Sequence, residues 1–176
     1  MSSKRMSEPT AYVFADDGSV PNNPKLPFLL YRGAIDLIGT SEPETRIEHM
    51  FRHNGWGNNI WRNGVYPYVH YHSMIHEGMG IARGRAKVRF GGKTGRDVDL
   101  GAGDVVVLPA GTGHQCLWST IDLLVIGAYP RTGQYDLCRG SKAEHDKAIA
   151  AIPAVPPPES DPVFGKQGPL MRLWGV

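Results

Sequence analysis

Three observations predict an all-β protein, built either as a closed barrel or as a two-sheet sandwich. Glycine (22) and proline (14) both exceed their usual share of a 176-residue chain, which is typical of many turns. Short apolar or alternating runs follow one another from Trp56 to Ala128, with turn residues between them. Helical spacing is confined to two short segments. We therefore expect a single domain over residues 1–176, with one or two peripheral helices.

The strands are predicted from clear local patterns. "RAKVRF" alternates, with Ala86, Val88 and Phe90 on one face. "VVVLP" predicts a buried strand that ends at a proline, and "IDLLVIGAY" predicts another. "FLLYRGAIDLI" is compatible with one or two strands.

Both helix predictions include a start signal. The first helix is expected to begin after Ser41, with Glu44 completing a capping box, and to end at Gly55. The second has its own capping box, formed by Ser141 and Glu144.

Three parts of the domain are predicted to differ in their roles. We expect residues 1–10 to form a disordered tail and residues 56–128 to form the barrel core that carries the motifs. Residues 129–176 form a C-terminal extension, whose apolar end is expected to pack on the barrel.

Composition argues against several classes of function. The formal net charge is +2 and the basic residues are scattered, so we expect no nucleic-acid partner. The chain has no apolar run long enough to cross a bilayer, and no apolar region follows its basic N-terminus. We therefore expect a cytoplasmic protein with no membrane partner. Cys116 and Cys138 are expected to be free thiols.

A cluster of histidines is the first candidate for chemistry. His70 and His72 are two residues apart, so in a strand they project from the same face. Glu77 is placed to follow a turn and enter the next strand. Imidazoles with a carboxylate form a mixed nitrogen and oxygen set for a transition metal. Exposed strand histidines without any ligand are equally compatible with this pair alone.

The segment around this cluster resembles the first sequence motif of the cupins, which are small, jelly-roll-like barrels of double-stranded β-helix fold. The match holds at every position, in the order Gly64, five residues, His70-x-His72, four residues, Glu77, six residues and Gly84.

A second segment resembles the other cupin motif. It matches in this order: Gly103, five residues, Pro109-x-Gly111, two residues, His114 and three residues. The next position is Trp118, where the family has asparagine. Further segments, such as "VVVLPAGTGH" and "DPVFGKQGPL", resemble a group of uncharacterised bacterial cupins, the YjlB-like proteins. That group brings no settled activity with it.

The resemblance implies a metal site inside the barrel. Its ligands would be His70, His72, Glu77 and His114, holding one divalent ion of iron, manganese, nickel, copper or zinc. His76 is expected to point away from the ion, with a face of small residues that packs against another sheet or a subunit; that face comprises Gly78, Gly80 and Ala82. A bulge would be needed to bring His76 inward as a substitute ligand.

Other residues are candidates for the wall of the pocket. Tyr68 shares the phase of His70 and is the first choice for a hydroxyl that contacts substrate. In a regular strand Cys116 and Trp118 would share the face of His114 and point into the pocket. Trp118 is equally compatible with closing the end of the barrel, and Cys116 with a small buried apolar residue.

Met79 and Ile81 are expected to line the same interior, because they follow Glu77 at alternate positions. Such a pocket suits a small, partly apolar organic ligand. The leading hypothesis is a metal-dependent enzyme on a small metabolite, with dioxygenase-like chemistry ahead of an isomerase. The alternative is a metal-dependent protein that binds or senses a small ligand without turnover. A purely structural metal is a third interpretation, and the cupin resemblance implies a homodimer.

Overall fold

A computed structural model of the chain describes residues 8–176 and contains nine strands within that range. In chain order the strands are β1 (Thr10–Tyr12), β2 (Phe28–Tyr31), β3 (Asn58–Asn63), β4 (Glu77–Arg83), β5 (Arg85–Phe90), β6 (Arg96–Gly101), β7 (Val105–Leu108), β8 (His114–Ser119) and β9 (Leu124–Tyr129). The helices are α1 (Pro43–His53), α2 (Lys142–Ala151) and α3 (Pro169–Trp174), with short 3-10 turns at Gly92–Thr94 and Ile152–Ala154. The predicted all-β class with peripheral helices is confirmed.

The strands of residues 8–176 form two antiparallel sheets. The larger sheet has the order β1-β2-β7-β4-β9-β3, and the smaller one has the order β6-β5-β8. Because β4 of the larger sheet continues into β5 of the smaller one, the two sheets face each other across a shared interior. This is the arrangement expected of a jelly-roll-like barrel.

The two faces of the larger sheet bury different clusters. Along β7, Val106 and Leu108 point into the interior between the sheets, where Val88 and Phe90 of β5 meet them. The alternate residue Val107 points to the outside of the sheet and packs in a second cluster. Burial on both faces explains why β7 is an unbroken apolar run rather than an alternating one.

Helix α1 covers the outer face of the larger sheet. A Cβ atom on Gly80 of β4 would lie 2.8 Å from Cγ2 of Ile47, and one on Gly78 would lie 3.3 Å from the Trp56 ring. The small-residue face of β4 therefore packs against helix α1 and Trp56 of the same chain. This corrects the expectation that another sheet or a subunit packs there.

The two predicted helix starts have different outcomes. At α2 the capping box is confirmed, since Ser141 and Glu144 each accept the other's backbone N–H. At α1 the N-cap is Glu42, without a side-chain cap, rather than Ser41. Pro43 is the reason, because proline is favoured as the first helical residue and so makes its predecessor the cap.

The two ends of the described chain pack on the sheets. Thr10 already begins β1, which corrects the predicted tail at its inner end, while residues 1–7 of that prediction lie outside the described residues. At the other end, Leu170 and Trp174 of α3 are buried in the outer cluster. None of the helices in residues 8–176 has the length and apolar character of a membrane span.

Candidate metal centre

Three buried side chains from separate parts of the chain converge inside the barrel. Glu77 is the first residue of β4, His114 is the first residue of β8, and His72 lies in the loop before β4. Their ligand atoms all lie within 4.8 Å of one another. Oε2 of Glu77 is 3.2 Å from Nε2 of His72 and 3.3 Å from Nε2 of His114. This geometry is compact enough for one metal ion.

His70 stands beside this trio. Its backbone pairs with that of His114 in both directions, at 3.1 and 2.9 Å, and the two ring centroids are 3.9 Å apart. His70 lines the same cavity, although it is outside the set of three whose ligand atoms lie within 4.8 Å. Its place as a fourth ligand therefore stays a prediction.

Backbone carbonyls orient all three imidazoles. Nδ1 of His70 faces the carbonyl of Tyr68 at 3.0 Å, and Nδ1 of His114 faces that of Thr112 at 3.1 Å. Nδ1 of His72 faces the carbonyl of Asp136. A carbonyl only accepts, so each Nδ1 carries the proton and each Nε2 of a neutral ring keeps its lone pair. This is the usual way in which a protein prepares histidines for a metal.

Glu77 has an unusual environment as a result. Its Oε2 is buried and has no hydrogen bond, although two imidazole nitrogens are close. With neutral rings, this buried oxygen faces two lone pairs, and a positive charge between the three atoms, either a metal ion or a proton, makes that arrangement favourable. The donor set suits a divalent transition metal.

The pKa shifts reflect the same electrostatics. Burial, together with His114, lowers the pKa of His70 to about 3, so this ring is neutral. Burial alone would raise the pKa of Glu77, but His72 and His114 outweigh it and lower that pKa. Burial would lower the pKa of His72, and the Glu77 carboxylate reverses this effect and raises it. In the absence of an ion, a proton on His72 would balance Glu77.

A tyrosine that the sequence analysis missed contacts the carboxylate. The hydroxyl of Tyr129, at the end of β9, donates to Oε1 of Glu77 at 3.0 Å, and Nε1 of Trp61 lies 3.2 Å from the same hydroxyl. Burial, followed by the charge of Glu77, raises the pKa of Tyr129, so it remains a donor. The β4–β9 register, in which Gly78 pairs with Ala128, would have identified this neighbour.

The loop after β9 supports His72 and was also missed. The Asp136 carboxylate accepts from the N–H groups of Ser73 and Met74 and from the Ser73 hydroxyl, at 2.6–3.2 Å. The ring of Tyr135 lies 5.1 Å from that of His72. No motif spacing links residues 135 and 136 to the histidines, because the contact is made by a loop.

The candidate ligand atoms open into a cavity of about 420 Å³, a size suited to a small organic molecule. Its wall includes Met79, as expected, whereas Ile81 packs in the core between the sheets. The residues lining it are Asn59, Trp61, Arg62, Asn63, Gly64, Val65, Tyr66, His70, His72, Glu77, Met79, His114, Tyr129 and Tyr135.

Tyr68, the predicted substrate contact, is placed behind the cavity wall. Its ring stacks on Tyr66 at 4.9 Å between centroids, and the guanidinium of Arg139 lies over it at 3.8 Å. Tyr66 lines the cavity at this point.

Trp118 differs most from the expectation. The β5–β8 register shifts between Lys87 and Val88, so that Val88 pairs with Cys116 but Lys87 pairs with Trp118. This bulge turns Trp118 to the outer face, where it is 55% exposed. Its indole lies outside the metal cavity, beside Arg85. Cys116 packs against the core between the sheets and is likewise not part of the cavity wall.

His76 points away from the candidate ligands, as expected. It is fully buried, its Nδ1 accepts the N–H of Ala110 at 2.9 Å, and its ring lies 4.8 Å from that of Trp174. The observed direction leaves it no part in the cluster.

Comparison with known sequences gives two similarities. A model of the EutQ-like cupin domain matches residues 70–126, a stretch that contains all four predicted ligands. The chain is also 41% identical, over 167 residues, to the uncharacterized protein YjlB of Bacillus subtilis (strain 168). That alignment covers 95% of this chain and 97% of the other.

Among solved structures, acireductone dioxygenase from Bacillus anthracis, with a cadmium ion in its active centre, is 17% identical. The match covers 60% of this chain and 80% of that one, with a TM-score of 0.37. Oxalate decarboxylase from Lactobacillus farciminis, in a formate complex, is 23% identical with a TM-score of 0.35. Here the match covers 46% of this chain and only 25% of the decarboxylase.

Proposed function

Since the chain belongs to the cupin superfamily and to its YjlB-like group, we propose that it is a mononuclear metal-dependent enzyme acting on a small organic metabolite. The ion would be held by His70, His72, Glu77 and His114. The observation that carries this proposal is the buried Oε2 of Glu77, which faces two Nε2 atoms and has no hydrogen bond.

The residues fit such an ion. A divalent transition metal supplies Lewis acidity and, if it is redox-active, a place where oxygen and substrate can meet. The chain's own groups orient the ligands: three backbone carbonyls hold the imidazoles, and the hydroxyl of Tyr129 holds the carboxylate of Glu77. The aromatic rings of Trp61 and Tyr66 provide an apolar wall that excludes water from the substrate's body.

Within this class we propose dioxygenase-like chemistry ahead of isomerisation of a sugar phosphate. A phosphate needs converging cationic side chains. In residues 8–176 the cavity is lined by a single arginine, Arg62, whose Nε is bound by Glu48 of α1 at 2.6 Å. The apolar part of the wall, formed by Trp61, Val65 and Met79 with the rings of three tyrosines, favours a partly apolar molecule instead.

The metal-loaded protein tests the enzyme proposal in an oxygen electrode. Small enediols, catechols and 2-oxo acids are added one at a time to the iron-loaded and the manganese-loaded protein. Oxygen uptake that is abolished in His72→Ala supports the proposal. Saturable binding of several candidates, with neither oxygen uptake nor a change in the oxidation state of the metal, would favour the alternative of a binding or sensing protein.

A purely structural role of the metal has a separate test. If the ion only held the barrel together, His70→Ala would lose the metal and melt at a clearly lower temperature. We expect loss of the metal with little change in melting temperature. Homodimerisation stays a prediction, and sedimentation velocity is the measurement that checks it.

A further inference from the structure

We propose that Tyr129 is a positioning residue that makes Glu77 a one-oxygen ligand. Its hydroxyl occupies Oε1 of the carboxylate and leaves Oε2 to face the ion. The inference deepens the proposed function and rests on it, because it presupposes that a metal binds at the cluster. It concerns how the chain controls the positions around that metal that stay open to a substrate.

The direction of each hydrogen bond is determined by the donor chemistry. An indole N–H can only donate, so the oxygen of Tyr129 accepts from Nε1 of Trp61 at 3.2 Å. The hydroxyl proton of Tyr129 is then free for Oε1 of Glu77 at 3.0 Å. The chain of bonds therefore runs in one direction, from indole through phenol to carboxylate.

Packing holds this chain of bonds rigidly. Glu77 and Tyr129 are each 2% exposed, so water does not compete for the hydroxyl. Trp61 lies directly over Gly127 of β9, where a Cβ atom would be only 1.8 Å from Cε2 of the indole. The other side of Tyr129 meets the rings of His72 and Tyr135, at 5.8 and 5.6 Å between centroids.

The consequence concerns coordination. A carboxylate binds a cation through one oxygen or through both, and the second mode fills a position that a ligand would otherwise occupy. The hydrogen bond takes one of the two lone pairs of Oε1 and ties this oxygen to the fixed hydroxyl of Tyr129, so turning Oε1 towards the ion strains or breaks a buried hydrogen bond to a charged group. Tyr129 thus keeps one position at the ion available.

The test uses full-length protein loaded with cobalt(II), with azide as the probe. Tyr129→Phe removes the hydroxyl and keeps the ring. Tyr31→Phe is the matched control, because it removes a buried hydroxyl that also donates to a carboxylate, Oδ2 of Asp161 at 2.6 Å, but lies in the outer cluster and not in the cavity wall. Visible absorption reports the coordination of cobalt and the dissociation constant of azide, neither of which depends on turnover.

We expect Tyr129→Phe to bind azide about tenfold or more weakly, with an altered cobalt spectrum, the usual scale for loss of a group that orients a ligand. Tyr31→Phe should show the cobalt spectrum and azide affinity of wild type. Trp61→Phe should shift azide binding in the same direction by a smaller factor, and it tests the inference if Tyr129→Phe folds poorly.

Wild-type spectra and azide affinity in both Tyr129→Phe and Trp61→Phe would overturn the inference, as would equal losses in Tyr129→Phe and Tyr31→Phe. Wild-type protein that takes up no cobalt overturns the proposed function itself, and that outcome is distinct from either of these.

Discussion

At the residue scale, the candidate ligands are oriented by groups that a motif does not contain. The imidazoles of His70, His72 and His114 each direct Nδ1 to a backbone carbonyl. The carbonyls of Tyr68 and Thr112 belong to residues two positions before their histidines, so these two contacts are local. The carbonyl that orients His72 comes from Asp136, 64 residues further along the chain.

This difference makes His72 the ligand most sensitive to its surroundings. Asp136→Ala removes the carboxylate that binds the backbone of Ser73 and Met74, and with it the fixed position of the loop that carries His72. We expect about tenfold weaker metal binding with the fold retained, since groups that hold a metal ligand in place typically contribute a factor of this order.

Competition with a chromophoric chelator measures that affinity. Asp97→Ala serves as the control, because Asp97 pairs with Arg89 on the exposed face of the smaller sheet, away from the candidate ligands. Equal metal affinity of Asp136→Ala and wild type would show that the loop holds its position without the carboxylate.

Residue-level spacing predicted the candidate cluster better than its surroundings. Two motif segments singled out four residues, and the structure brings the ligand atoms of three of them within 4.8 Å of one another: His72, Glu77 and His114. The fourth, His70, lies beside that set. Tyr129 and Asp136 were missed because their contacts depend on strand register and on the course of a loop. Neither property has a local signature in the sequence.

At the element scale, irregular strands account for the largest differences from expectation. A regular β8 would have placed Trp118 inside the barrel, but one bulge opposite Lys87 and Val88 reverses its direction. The alternation rule holds on either side of such a bulge and fails across it. Strand β3 has a similar shift between Asn58 and Trp61, where it pairs with β9.

The close approach of β3 to β9 depends on one glycine. In Gly127→Ala the new Cβ would lie 1.8–2.3 Å from atoms of the Trp61 indole, so the ring has to move. We expect a loss of about 1–3 kcal/mol in the free energy of unfolding, the usual cost of overpacking, and weaker binding of ligands in the cavity.

Urea unfolding, with tryptophan fluorescence as the signal, measures this loss. Gly101→Ala is a suitable control, because its new Cβ would lie 3.9 Å from Cγ of Arg85, an ordinary van der Waals distance. Unchanged stability of Gly127→Ala would mean that the indole can leave Gly127 at no cost.

At the scale of the whole molecule, the barrel is held by connections between segments that are distant in sequence. The Asp17 carboxylate, in the loop between β1 and β2, accepts from the N–H groups of Ser19 and Val20 and from that of Lys93 in the turn after β5. Burial opposes ionisation of Asp17, but these backbone donors outweigh it and lower its pKa below 3.8.

The sign of the resulting pH dependence follows from that shift. A carboxyl with a lowered pKa in the folded state stabilises the fold above its ordinary pKa, and this contribution is lost as pH falls through the folded value. Asp17→Asn should therefore lower the free energy of unfolding by about 1 kcal/mol at pH 7. The difference from wild type should shrink below pH 3.8.

Urea titrations from pH 7 to pH 2.5 check this, with Asp122→Asn as an exposed control. A difference between Asp17→Asn and wild type that is constant over the whole range would contradict a role for the charge of Asp17.

The two-sheet architecture was more predictable from the sequence than the helix packing on its outer face. Turn-rich composition and the spacing of apolar runs predicted an all-β barrel or sandwich, and both sheets follow those runs, as in β5 and β7. Helix α1, which covers Gly80, was predicted as a helix, but its packing on β4 was not. A row of small residues shows that something packs closely and does not show what.

The most direct test of the metal centre is the metal content of untagged protein purified without chelators, measured by elemental mass spectrometry. His72→Ala is the test variant, and His145→Ala is the control, because His145 pairs with Asp16 away from the cluster. We predict about one transition-metal ion per chain in wild type and His145→Ala, and its loss in His72→Ala. Wild-type protein that contains no metal, and takes none up on soaking, would contradict the account.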